Sequence, residues 1–170
     1  MSVVGEGFPV SDRVAQAKRE WASSNASQYV AVIGVCPTAA VIPETIPHLH
    51  RPVRDEDTPS HEDIDAWVTF GTGHAKHGPL LVYCEAGRNR SSIVAALIAA
   101  RLQGEMFYEV VATLHDRFLE AGHNWWPYEH WQEAIDQWWK KDFDYRDGLR
   151  RYEEFKSENP VHPWFGSRPD

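Results

Sequence analysis

The chain has 170 residues, of which 42% are hydrophobic and 25% are charged, a composition typical of a globular protein with one domain. Its formal net charge of −8 argues against a general nucleic-acid-binding protein, which normally carries a basic face. Two cysteines are too few for a disulfide scaffold, and the N-terminus has no basic start or long apolar run. We therefore expect one cytoplasmic domain over residues 1–170, without a membrane segment and with an irregular tail at 159–170.

The N-terminal part of the chain is predicted to contain a helix and then a strand. Residues Val10–Ser24 mix apolar and charged positions at helical spacing, with Ser11 as a plausible cap, and predict a helix. Residues Tyr29–Cys36 form a short β-branched run that ends before Pro37, and this pattern predicts a buried strand.

A loop and a second helix follow. Residues 37–59 are rich in Pro, His and acidic side chains and predict a loop, with a short strand at His50–Val53. Ser60 followed by Asp63 fits a capping pattern, and the apolar positions after it predict a helix that ends near His77.

The C-terminal half of the chain is predicted to be one strand followed by helices. Leu80–Cys84 is a continuous apolar run that predicts a buried strand, and the nearly all-apolar Ser91–Leu102 predicts a central buried helix. Further helical patterns cover Met106–Ala121, Tyr128–Lys140 and Tyr145–Ser157. Buried strands that alternate with helices indicate an α/β layer fold.

The most informative segment is the short loop that joins the strand Leu80–Cys84 to the following helix. A strand, a tight loop and a helix in succession aim backbone N–H groups and the positive helix end at one point, which suits a tetrahedral anion. Gly87 provides the unusual backbone angles that such a loop needs, and Arg90 can donate two hydrogen bonds to phosphate oxygens. Positive surroundings also favour the thiolate form of a cysteine, so Cys84 is a candidate nucleophile.

The order of Cys84, five residues, Arg90 and then Ser91 resembles the signature loop of the protein tyrosine and dual-specificity phosphatase superfamily. Residues Val53–Leu102 are similar to the compact dual-specificity-type enzymes of bacteria and phages. The resemblance implies an α/β three-layer sandwich in which a small, mostly parallel central sheet is flanked by helices.

The same resemblance implies a role for each residue of the loop. Cys84 would attack phosphorus and become a phosphocysteine, Arg90 would stabilise the transition state, and Ser91 would hydrogen-bond the sulfur and help it leave. Backbone N–H groups would form the phosphate cradle, and they would come from Glu85, Ala86, Gly87, Arg88, Asn89 and Arg90. The family usually has His directly before the nucleophile, whereas this chain has Tyr83, whose phenol could hydrogen-bond in its place or simply pack.

A phosphocysteine route also needs a proton donor for the leaving oxygen. In the family this is an Asp on a loop upstream of the signature, which corresponds here to Arg51–Ser60. We favour Asp55 because Pro52–Asp55 resembles the family's strand end and because loop tips commonly offer catalytic side chains. Asp57 is the alternative, and both residues could also be ordinary solvated loop acids.

Other chemically interesting residues have simpler interpretations. The nine histidines show no zinc-type spacing with cysteine, so we expect no metal and no cofactor. Cys36 ends an apolar run and is either a buried small residue or a resolving thiol for oxidised Cys84. The aromatic segment Trp125–Tyr128, with Trp131, either packs in the core or forms a wall beside the site.

The sequence thus predicts a phosphatase for phosphotyrosine or phosphoserine and phosphothreonine in proteins, or for a small phosphomonoester. An RNA 5′-phosphatase stays open because Asn89–Ser91 also resembles that branch of the superfamily, although the acidic charge disfavours long RNA. A phosphoinositide phosphatase, a rhodanese-type sulfurtransferase and an inactive phosphate-binding protein are further alternatives. The oligomeric state is left open.

Overall fold

The centre of the fold is a five-stranded sheet. The computed structural model describes residues 2–125, 127–142, 150, 153–155 and 157–158. The strands are β1 (Glu6–Pro9), β2 (Val14–Lys18), β3 (Ala31–Gly34), β4 (His48–His50) and β5 (Leu80–Cys84). Their order is β1-β2-β5-β3-β4; β2, β5, β3 and β4 run parallel to one another, and β1 pairs antiparallel with β2.

Helices cover both faces of this sheet. They are α1 (Arg19–Asn25), α2 (His61–Ala75), α3 (Arg90–Gln103), α4 (Phe107–Glu120) and α5 (Glu129–Asp142), with a 3₁₀ turn at Ala26–Gln28. Helices α2 to α5 form one continuous hydrophobic core with one face of the sheet. The short α1 and the loop after β3 cover the other face, so the expected three layers are confirmed, with one layer thin. None of the described helices is both long and apolar enough to cross a lipid bilayer.

Strand β5 and helix α3 are the central elements of the core. All five residues of β5 are buried, because β2 and β3 flank the strand and both of its faces are covered. Every residue of α3 from Arg90 to Ala100 is buried, since the helix lies between the sheet, α2 and α4. The loop between β5 and α3 therefore starts and ends in the buried centre of the fold.

The predicted helix at Val10–Ser24 is wrong over most of its length. Residues 14–18 form β2, and the helical turn begins only at Arg19. Ser11 does not cap a helix; its N–H donates to the Val14 carbonyl in the turn that precedes the strand. The alanines of β2 are strong helix formers, but pairing with both β1 and β5 overrides that weak preference.

The other predicted elements are largely confirmed. The strand within Tyr29–Cys36, the strand Leu80–Cys84 and the helices that became α2 to α5 all appear, with ends within a few residues of those expected. Ser60 caps α2 in a full capping box with Asp63. The short strand lies at His48–His50 rather than His50–Val53, because Pro52 lacks an N–H for the ladder. The predicted helix Tyr145–Ser157 lies largely, and the predicted tail 159–170 wholly, outside the described residues.

Candidate active site

The loop after β5 is held in shape by close backbone contacts with the neighbouring strand. Gly87 adopts a left-handed conformation, with φ of 63°. A Cβ atom at Gly87 would lie 2.7 Å from the Ala17 carbonyl carbon and 2.8 Å from the Gly5 Cα, and closer still to the Lys18 nitrogen. Since β2 runs beside β5, the end of β2 supports the underside of the loop, and only glycine fits at this point.

Cys84 stands at the end of β5, where the loop begins, and it lines a cavity of about 310 Å³. The residue is only 2% exposed, and its sulfur lies 3.2 Å from the Ser91 hydroxyl oxygen on the first turn of α3. The same cavity is lined by Ala86, Asn89 and Arg90 from the loop and the start of α3. Of the predicted cradle residues, Ala86, Arg88, Asn89 and Arg90 thus line the same opening as Cys84, whereas Glu85 and Gly87 do not.

Arg90 is buried and held by the upstream loop. Its Nε atom lies 2.6 Å from Asp55 Oδ1, and its Nη1 atom donates a 3.1 Å hydrogen bond to the Val53 carbonyl. The residue is 7% exposed, so the guanidinium has little contact with bulk water. These two bonds fix the orientation of the guanidinium beside Cys84 and leave further N–H groups for a ligand.

The structure separates the two candidate acids. Asp55 lines the cavity together with Cys84 and Arg90. Asp57 lies in a different surface depression, lined also by Pro37 and Arg54, on the far side of the loop. The turn that separates them is closed by a hydrogen bond from the Asp57 N–H to the Arg54 carbonyl. Of the two aspartates, only Asp55 lines the cavity that Cys84 also lines.

Several solved phosphatase structures resemble the chain, although no protein-family model and no curated protein matches it. Human DUSP28 is 14% identical, with 76% of this chain and 92% of that chain covered at a TM-score of 0.65. PTPMT1 in complex with PI(5)P is 13% identical, with 85% and 97% covered at a TM-score of 0.61. OH1 from the Orf virus, a tyrosine phosphatase, is 20% identical, with 65% and 73% covered at a TM-score of 0.51.

The chain has the fold of the tyrosine and dual-specificity phosphatases. This confirms the fold that the signature-like loop implied. At these identities the likeness extends to the fold alone, so the chemistry of the site has to follow from the chain's own residues.

In this phosphatase fold, α5 and the segment before it hold the Asp55 loop in place. The Tyr128 hydroxyl donates to the Asp55 carboxylate, and His130 Nε2 lies 2.7 Å from the Asp55 carbonyl oxygen. The Trp131 indole N–H donates a 2.9 Å hydrogen bond to the Asp57 carbonyl. Burial, followed by the nearby Asp55 charge and hydrogen bond, raises the pKa of Tyr128 to about 12, so this hydroxyl stays a donor at neutral pH.

The aromatic segment before α5 has both of the functions considered for it. Trp125 and Tyr128 line the cavity, while Trp125 and Trp131 are also part of the main core. Trp131 stacks on Trp67 of α2 with ring centroids 5.8 Å apart. The wall of the site is therefore a continuation of the core.

Sequence reasoning gave no role in the site to His123, Asn124 or His130. His123 and Asn124 line the cavity beside Arg88, and His130 hydrogen-bonds to the backbone carbonyl of Asp55. The Asp55–His130 contact joins residues 75 positions apart, so no local spacing could have revealed it. The only hint in the sequence was that these residues lie next to Trp125–Tyr128 and Trp131, for which one alternative was a wall beside the site.

Tyr83 hydrogen-bonds away from the cavity. Its hydroxyl oxygen accepts the Ala40 N–H at 2.9 Å and lies 2.9 Å from His48 Nε2. Burial lowers the pKa of His48 and raises the pKa of Tyr83 to about 12, so near neutral pH the phenol donates to a neutral imidazole. Both partners belong to the sheet face opposite α3 and do not line the cavity.

Cys36 is a free, fully buried thiol whose Sγ donates a 3.2 Å hydrogen bond to the Thr38 carbonyl. Burial raises its pKa to about 11, which makes the thiolate scarce at neutral pH. This surrounding fits a small buried residue better than a reactive one. In the part of the chain that the structure describes, no three His, Cys, Asp or Glu side chains are grouped to hold a metal ion.

Proposed function

We propose that the protein is a cysteine-dependent phosphatase that hydrolyses phosphomonoesters through a phosphocysteine intermediate. The observation that carries the proposal is that Cys84, Arg90 and Asp55 line one cavity at the end of β5. These three groups provide a nucleophile, an anion-binding cation and an acid–base group, which are what a phosphoryl transfer of this kind requires.

In the first step the Cys84 thiolate attacks phosphorus, and an S–P bond forms as the bond to the leaving oxygen breaks. The N–H groups of residues 85–90 and the Arg90 guanidinium bind the non-bridging oxygens, where charge accumulates. Without substrate, Asp55 Oδ1 lies 2.6 Å from the Arg90 Nε atom and binds this edge of the guanidinium. The entering phosphoryl group takes over this edge of the guanidinium, while the bond from Nη1 to the Val53 carbonyl keeps the arginine in place. Asp55, released from Arg90, takes up a proton from solvent and delivers it to the leaving oxygen.

In the second step water attacks the phosphocysteine, and the S–P bond breaks to give inorganic phosphate and the Cys84 thiolate. The Asp55 carboxylate takes the proton from the attacking water. The Ser91 hydroxyl, 3.2 Å from the sulfur, donates to the thiolate as negative charge develops on it. Phosphotyrosine, phosphoserine or phosphothreonine in a protein is the substrate that we propose.

Hydrolysis of p-nitrophenyl phosphate in the presence of EDTA tests the reaction, because this route uses no metal. We expect turnover that vanadate inhibits and that Cys84→Ser abolishes. Full activity of the Cys84→Ser protein would exclude the phosphocysteine route.

Phenyl phosphate tests the acid, since its more basic leaving group depends more on proton donation. Asp55→Ala should lower turnover of phenyl phosphate by about a hundredfold or more, and that of p-nitrophenyl phosphate by less. Asp57→Ala is the matched control, because it removes a carboxyl group from the same loop outside the cavity. A larger loss with Asp57→Ala would transfer the role of acid to Asp57.

A further inference from the structure

The mouth of the cavity carries positive charge that the proposed phosphoryl transfer does not use. Arg88 is exposed and lines the cavity, and His123, partly buried, lines it from the segment that follows α4. Burial and then the Arg88 charge lower the pKa of His123, so Arg88 carries the positive charge at neutral pH and His123 gains one only at lower pH.

No acidic side chain in the described ranges neutralises this pair. Glu85 and Glu120 each lie three positions from one member of the pair, but neither lines the cavity, and Glu85 forms a 3.0 Å ion pair with Arg19. Asp55 is directed to Arg90 and Tyr128. In a protein with a net charge of −8, an uncompensated arginine beside a protonatable histidine, at the opening of an anion site, is a binding feature in its own right.

We propose, on the basis of the function given above, that Arg88 and His123 bind a second anionic group on a phosphorylated peptide. That group is a carboxylate or a second phosphate on a residue next to the one being dephosphorylated. Asn124 lines the same side of the cavity, and its exposed amide can donate a further hydrogen bond to the anion. The strongly negative protein favours a short peptide over RNA as the carrier of this group.

The second anion and the proton on His123 are coupled. Three charged groups line the cavity together with His123, namely Arg88, Arg90 and Asp55, and Phe118 of α4 packs against the imidazole ring. A bound carboxylate offsets the repulsion from Arg88 and favours the protonated imidazole. Binding of the acidic peptide therefore takes up a proton, and the preference for it grows as the pH falls from 8 to 6.

Two peptides that differ only in one side chain test this subsite. Both carry difluorophosphonomethyl phenylalanine, a non-hydrolysable phosphotyrosine analogue, beside either Glu or Gln, and calorimetry measures their affinities for the whole protein. We expect the Glu peptide to bind about three- to fivefold more tightly at pH 6.5, with a smaller ratio at pH 8. Equal affinities at both pH values would overturn the proposal.

Three variants assign the preference to residues. Arg88→Ala should remove it and Arg88→Glu should reverse it, while His123→Gln should remove its pH dependence. Arg54→Ala, which removes an exposed cation near the site but outside the cavity, should leave the ratio unchanged. A ratio that survives Arg88→Glu, or that Arg54→Ala abolishes, would refute the subsite.

The binding ratio and catalysis are separate measurements. Wild-type protein that fails to hydrolyse p-nitrophenyl phosphate contradicts the proposed phosphatase, whereas the affinity ratio of the non-hydrolysable peptides still decides the subsite. Cleavage of an RNA 5′-triphosphate, with tighter binding of that end than of the Glu peptide, would replace the peptide by RNA and so overturn the stated substrate class.

Discussion

Replacing Gly87 with alanine tests whether the phosphate loop is held in shape by β2. The new methyl group would meet the backbone of Ala17 and Lys18, and backbone atoms cannot turn aside as a flexible side chain can. The residue also has φ of 63°, a conformation that costs an L-residue other than glycine about 1–2 kcal/mol. Two separate penalties therefore act at this position.

The contact penalty can be estimated from overpacking of a well-packed interior, which costs about 1–3 kcal/mol. Together with the conformational term, we expect the free energy of unfolding to fall by about 3 kcal/mol. For a chain of this length, this corresponds to a melting temperature lower by roughly 6–12 °C. Because the loop has to move to relieve the contact, the affinity for orthovanadate should fall by about tenfold or more.

Gly104 provides the matched control for this experiment. It follows the other end of α3 with φ of 66°, and a Cβ atom there would have no neighbour within 4 Å. Gly104→Ala therefore carries the conformational penalty alone, and we expect a loss of about 1 kcal/mol with unchanged vanadate affinity. Differential scanning calorimetry and vanadate inhibition measure both variants. Equal melting temperatures for the two variants would refute the close approach of the loop to β2.

Three further substitutions test the interactions of Tyr128 in the cavity and of Tyr83 and His48 on the other face of the sheet. Tyr128→Phe removes the donor to the Asp55 carboxylate, so we expect kcat for phenyl phosphate to fall by about tenfold, with a smaller change for p-nitrophenyl phosphate; equal losses would contradict a positioning role. Tyr83→Phe leaves the buried Ala40 N–H without its acceptor and should lower the unfolding free energy in urea by about 1–3 kcal/mol, whereas no change would show that water replaces the phenol. Because burial lowers the pKa of His48, the unfolded chain binds more protons than the native protein below about pH 6.5. Stability should therefore fall as the pH decreases through this range, less steeply in His48→Gln, and identical pH profiles would contradict the effect.

The features that the sequence predicted correctly depend mainly on residues close together along the chain. Cys84, Gly87 and Arg90 lie within one strand–loop–helix segment, so their proximity follows from the chain itself. The apolar helix after Arg90 was equally visible, because nearly every residue in it is buried and no polar alternation interrupts it. Asp55 could be placed upstream only through a resemblance, since its approach to Arg90 depends on how the sheet is assembled.

Contacts between distant segments could not be read from the sequence. The sequence of β2 predicts a helix, because alanine has a high helix propensity. In the structure the small side chains of these alanines instead let α1 pack closely against the sheet. Strand β1, with Gly7 and Pro9 in four residues, has no strand pattern and exists because it pairs with β2. The sequence shows no partner for His130, because its contact with the Asp55 carbonyl depends on how α5 packs against the loop that contains Asp55.

Tyr83 is the residue that most directly raises the possibility of an inactive protein, and its surroundings argue against that interpretation. Gly34, its neighbour on β3, leaves room for the ring, because a Cβ atom at Gly34 would lie 3.0 Å from the Tyr83 Cε1 and closer to the hydroxyl. The phenol is bound through Ala40 and His48 on the face opposite α3. The side chain thus anchors the strand that ends in Cys84 without entering the cavity. The proposed phosphoryl transfer depends on Cys84, Arg90 and Asp55, which line the cavity together, and Tyr83 displaces none of them.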